Sequence, residues 1–193
     1  MKKLFIAALL LLASGSTHAY NYYYNIKPYH LALTLSNPLS ASFKYGGGWE
    51  HRYRNFAYML TYYKYTGAYP GTQMNMDMRI YLRKRWMNER TNVHYQHFIY
   101  TRGIFGTAGF DGPKLAIFGY DSKVELAQTL YYGVAAGVGR RYSKGHFFVT
   151  LKGGLKYCEV ADVTTAEKKL YRLFYATGPG SILEFNIQFG LQL

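Results

Sequence analysis

Leu183-Glu184-Phe185-Asn186-Ile187-Gln188-Phe189-Gly190-Leu191-Gln192-Leu193 alternates apolar and polar residues without a break to the last position. Leu183, Phe185, Ile187, Phe189, Leu191 and Leu193 fall on one face, and Glu184, Asn186, Gln188, Gly190 and Gln192 on the other. A period of two is that of a β-strand with one apolar and one polar face. About ten tilted strand residues cross the hydrocarbon core of a bilayer. Transmembrane barrels are built from such strands, with the apolar face toward lipid and the polar face toward the lumen.

The other end of the chain carries an export pattern. Lys2 and Lys3 precede an apolar run from Leu4 to Ala13, and small residues follow up to Thr17-His18-Ala19. This is the layout of a secretory signal peptide, too short for a spanning helix. Residues 1–19 are therefore expected to be cleaved after Ala19, leaving a mature domain of residues 20–193 that begins at Tyr20. No later run reaches the roughly 18 apolar residues of a transmembrane helix. The mean hydropathy of -0.19 fits a barrel, in which lumen residues dilute the lipid face.

Composition narrows the class. The 193 residues fit one domain, and Cys158 is the single cysteine, so no intramolecular disulfide can staple it. The chain holds 22 Tyr and 12 Phe, residues that populate the aromatic girdles of membrane barrels. Its 23 Lys and Arg against 10 Asp and Glu give a net charge of +13. In an exported chain this points to anionic lipid headgroups, lipopolysaccharide or phospholipid, and away from nucleic acid.

Eight strands are predicted. The first two are Tyr29–Ser36 and Ser42–Tyr53, followed by residues 56–66. In the fourth, Met74, Met76, Met78, Ile80 and Leu82 oppose Asn75, Asp77, Arg79, Tyr81 and Arg83. Residues 92–101, 124–139 and 146–157 supply three more, and the C-terminal stretch is the eighth. Residues 102–123 and 158–180 are expected as long loops. With the N-terminus in the periplasm, Arg54-Asn55 and residues 87–91 and 140–145 become short periplasmic turns, and both long loops face outward. That division of turn lengths is the bacterial barrel pattern. The expected fold is all-β, an eight-stranded antiparallel up-and-down transmembrane β-barrel in the bacterial outer membrane.

The chain resembles the small eight-stranded outer-membrane barrels, such as the OmpA transmembrane domain and OmpX. It resembles more closely the "outer membrane protein β-barrel" domains of unassigned function. The residues that carry this are Met1–Ala19, Asn37-Pro38-Leu39-Ser40, Gly48-Trp49-Glu50-His51-Arg52-Tyr53, the run from Val134 to Tyr142, and the C-terminal strand. The chain departs in ending on Leu193 where such barrels commonly end on an aromatic residue. The resemblance implies the barrel-insertion machinery as a partner.

By parity, Lys44, Glu50, Arg52, Asp77, Arg79, Lys152, Lys156 and Glu184 lie on inward, polar faces. An eight-stranded barrel is just wide enough for side chains to fill, and charges enclosed there must pair. The expectation is an internal ion-pair network that plugs the lumen, in a non-enzymatic structural or interaction protein acting through its outer loops. A narrow anion-preferring channel is the alternative, because the inward cations outnumber the anions. A second basic group, Arg52, Arg54, Arg83, Lys84, Arg85, Arg90, Arg140, Arg141 and Lys144, falls at the periplasmic turns, near inner-leaflet phosphates.

Catalytic signals are sparse. Asp121-Ser122, with His30 or His146 as base, faintly resembles the Asp-Ser pair of lipid A palmitoyltransferases and keeps a lipid-modifying enzyme as a further alternative. No Gly-x-Ser-x-Gly elbow is present. His94 and His97 fall on opposite strand faces and cannot share a metal. No metal site and no cofactor are expected, and Cys158 is expected at a strand end. A soluble ligand-binding barrel would instead turn the apolar faces inward.

Overall fold

A computed structural model describes residues 29–36, 42–110, 126–161, 175 and 179–192. Asp121 and Ser122 lie outside them, as do residues 1–19 and most of the two predicted long loops. Eight strands are present: β1 (Tyr29–Ser36), β2 (Ser42–Tyr53), β3 (Phe56–Gly67), β4 (Gly71–Asn88), β5 (Val93–Phe110), β6 (Leu126–Lys144), β7 (Phe147–Val160) and β8 (Leu183–Gln192). Each pairs antiparallel with its sequence neighbour. β1 closes the barrel on β8, in register from His30 with Gln192 to Ser36 with Asn186. The fold is the expected all-β, eight-stranded antiparallel barrel.

Three hairpin connections at one end are tight. Arg54 opens the β2–β3 turn with φ 52°, and Gly145 opens the β6–β7 turn with φ 58°. Glycine suits that left-handed corner because it has no Cβ to clash. At the same end β4 advances four residues from Tyr81 to Arg85 while β5 advances two, a bulge beside the turn.

Several strands outrun their sequence boundaries. β5 continues to Phe110 rather than stopping at residue 101, β6 runs to Lys144 rather than 139, and β7 to Val160 rather than 157. Gly103, Gly106 and Gly109 read as loop punctuation, yet β4 and β6 flank this part of β5 and bond to it on both sides. Glycine inside a strand also marks close approach. A Cβ on Gly106 would strike the Tyr131 ring, and one on Gly139 would clash with the edge of the Phe98 ring.

The outer face is largely apolar, and the interior mixes polar and charged side chains with aromatic and small apolar ones. Along β3, burial alternates strictly, with Ala57, Met59, Thr61, Tyr63 and Tyr65 inward and Tyr58, Leu60 and Tyr62 exposed. Leu33, Trp49, Met76, Ile99, Val134, Val138, Leu155 and Phe185 are all exposed. Val138 is 64% exposed while Asn75, Asp77, Arg79 and Gln188 are each 0%. This is the reverse of the arrangement expected of a soluble ligand-binding barrel, whose apolar faces would turn inward. Cys158 lies inside β7 rather than in a loop, buried in an apolar cluster with Tyr69, Ile104 and Tyr131.

Candidate functional site: the charged interior

Strand parity aims ten charged side chains into the barrel. Lys44, Glu50 and Arg52 come from β2, Asp77 and Arg79 from β4, and Arg102 from β5. Arg141 comes from β6, Lys152 and Lys156 from β7, and Glu184 from β8; all ten are buried. All eight of the residues selected by sequence parity are among them.

Seven of the ten form one chain of alternating charge. Lys44 Nζ lies 3.9 Å from Glu184 Oε1. Glu184 Oε1 also accepts from Arg102 Nη1. Arg102 grips Asp77 with two donors, Nε to Oδ1 at 2.5 Å and Nη2 to Oδ2 at 2.9 Å. Arg79 Nη2 donates to Asp77 Oδ2 at 2.9 Å, and its Nη1 donates to Glu50 Oε2 at 2.5 Å. Arg141 Nη1 completes the series at Glu50 Oε1, 2.8 Å away. Lys152 Nζ is a third donor to Asp77 Oδ2.

Neutral groups satisfy other positions. Gln188 Oε1 accepts from Arg79 Nη2 at 2.8 Å, and Asn186 Nδ2 donates to Glu184 Oε1 at 2.9 Å. Tyr81 donates its hydroxyl hydrogen to Glu50 Oε1 at 3.3 Å. Lys44 stands over the Tyr63 ring, 4.5 Å from its centroid. Arg52 lies 3.6 Å above the Tyr81 ring and donates to Gln96 Oε1 at 2.8 Å. Lys156 is buried, and no described carboxylate forms an ion pair with it. Charge-assisted bonds of this kind are worth forming only where each carboxylate and guanidinium finds several partners, because desolvation costs several kcal/mol per ion.

Two members escape the sequence reading. Arg102 falls in the predicted loop of residues 102–123 but belongs to β5, where Phe98, Tyr100, Arg102 and Ile104 all point inward. Arg141 reads as part of the turn-side basic group beside Arg140. Because β6 continues through both, parity splits them: Arg141 is buried and Arg140 exposed. In both cases the available signal was the alternation carried past the expected strand end.

The remaining candidates that are described stand apart from one another. His97 faces outward, with its Nε2 3.1 Å from Arg140 Nη2, and His94 pairs in register with Ser143. His146 occupies the β6–β7 turn and lies 3.3 Å from the Gln192 carbonyl through Nδ1. Asp121 and Ser122, the other partners expected for a lipid-modifying site, lie outside the described residues. Among the described residues, no three His, Cys, Asp or Glu side chains group as metal ligands. Arg54, Arg90 and Lys144 lie at or beside the tight turns.

No protein-family model matches the chain. No curated protein matches it either. Among solved structures, the N-terminal β-barrel domain of Pseudomonas aeruginosa OprF is similar over 86% of this chain and 97% of its own, at 9% identity and a TM-score of 0.56. Neisserial surface protein A aligns over 86% of this chain and 94% of its own, at 12% identity and a TM-score of 0.38. At 9% identity the first likeness is one of fold: the chain is a small closed antiparallel barrel of the kind that OprF carries at its N-terminus.

Proposed function

We propose that the protein is an integral barrel of the bacterial outer membrane, non-enzymatic, with a lumen closed by its own ion pairs. Interaction would then fall to the outer connections, and outer-membrane lipid headgroups and the barrel-insertion machinery would be its general partners. The observation that carries this reading is the alternating series Lys44–Glu184–Arg102–Asp77–Arg79–Glu50–Arg141, enclosed within an apolar exterior. A surface of that kind is solvated by hydrocarbon and not by water. A signal peptide at residues 1–19 would deliver the chain to the periplasm.

The membrane part of the reading is tested by refolding the chain into lipid vesicles. A folded barrel migrates differently in detergent electrophoresis before and after boiling, and its strands resist added protease. Unchanged migration with complete digestion would reject it.

One observation favours a second reading, the narrow anion-preferring channel: seven buried cations stand against three buried carboxylates among the described residues. Conductance separates the two.

A further inference from the structure

Arg140 is the outward neighbour of the buried Arg141, and it points at lipid. Along the outward face of β6 it follows Leu130, Tyr132, Val134, Ala136 and Val138 in succession. At about 3.3 Å per residue and a tilt of about 40°, the step from Leu130 to Arg140 covers roughly 25 Å along the membrane normal, the height of the apolar band in such barrels. Its cross-strand neighbour on β7 is Leu151. A guanidinium therefore emerges at the turn-side edge of the apolar surface, and among the described residues no carboxylate pairs with it.

The group is held in place. Arg140 Nη1 donates to the Tyr142 hydroxyl at 3.2 Å. Its carbon Cζ lies 5.3 Å from the Tyr95 ring centroid and 5.8 Å from that of Tyr142. Both rings lie nearer the turns than Arg140 does, so the side chain leans out of the hydrocarbon toward the interface, as long cationic side chains do. Nη2 and His97 Nε2 are 3.1 Å apart. A guanidinium can only donate, so the imidazole accepts at Nε2 and carries its proton on Nδ1. Among the described residues, no further acceptor meets the remaining N–H groups of Arg140 or the Nδ1–H of His97. A planar guanidinium fork matches phosphate geometry.

We propose that Arg140, His97, Tyr95 and Tyr142 form a clamp for the phosphate of a glycerophospholipid in the inner leaflet of the outer membrane. The proposal rests on the membrane reading above. Its location at headgroup depth on the lipid-facing surface selects a lipid phosphate over a free anion.

The test uses the full barrel refolded in neutral maltoside micelles and titrated with phosphatidylglycerol, with bound lipid counted by native mass spectrometry. Wild type is expected to retain one lipid. Arg140→Gln should weaken that retention about tenfold or more, and Arg140→Lys, which keeps the charge but not the planar fork, should fall between. Lys64→Gln, exposed on β3 toward the opposite end of the barrel, should leave retention unchanged. Equal retention by Arg140→Gln overturns the clamp, as does an equal loss in Lys64→Gln, which would mean diffuse charge. Displacement by millimolar inorganic phosphate alone overturns the assignment to lipid. Each variant is first checked for boiling-dependent migration. A chain that never inserts defeats the membrane reading itself, whereas an inserted barrel with unaltered lipid retention defeats this proposal only.

Discussion

Arg79 Nη1 sits 2.5 Å from Glu50 Oε2, with neither side chain exposed. The pair joins β4 to β2 across the barrel and skips the intervening β3. Arg79 also reaches Asp77, and Glu50 also takes Arg141, so the contact is one link in a longer series. A single broken link in such a series leaves a charge stranded.

Asp77 is the most connected anion, shared by Arg79, Arg102 and Lys152. In Asp77→Ala, Arg79 keeps Glu50 and Arg102 keeps Glu184, but Lys152 is left without a carboxylate. The expected cost is about 3–5 kcal/mol. The double change Asp77→Leu with Lys152→Met should cost much less, because no lone charge remains. Urea titration of vesicle-bound barrel reads both. Additive losses in the double variant would remove Lys152 from the network.

Gly139 faces the Phe98 ring so closely that a Cβ would overlap it. Gly139→Val should destabilise by about 1–3 kcal/mol through overpacking. Adding Phe98→Leu should recover part of that loss in the same titration, and no recovery would place the strain elsewhere.

Polarity on the lipid face should cost by depth. Ile187 lies mid-strand in β8 and Leu191 one residue from its end. Ile187→Arg is expected to cost about 2–4 kcal/mol and Leu191→Arg about 0–1 kcal/mol. Equal costs would contradict the membrane placement of β8.

The barrel was legible in the sequence wherever alternation ran uninterrupted. Leu183 to Gln192 and the methionine-rich face of β4 are two such places, because lipid and lumen impose opposite chemistry on successive residues. It was less legible where glycine interrupts. Gly103 and Gly106 hid the outer half of β5, and with it Arg102, although neighbouring strands and not local propensity decide where a strand ends. Arg140-Arg141 read as one block of turn charge. Only the observed length of β6 assigns one to the interior and the other to the outer face. Which carboxylate takes which cation could not be read either, since Arg102 and Glu184 stand 82 positions apart.

Export should remove residues 1–19. Amino-terminal sequencing of protein purified from the outer-membrane fraction is expected to read Tyr20-Asn21-Tyr22-Tyr23-Tyr24. A retained Met1 would contradict cleavage after Ala19.

The closed interior is tested most directly by conductance. Wild-type barrel inserted in a planar bilayer, its insertion verified by protease resistance in vesicles of the same lipid, is predicted to show no steady ionic current. Stable, anion-selective openings of the wild type would contradict the closed lumen and make the excess of buried cations the lining of a pore.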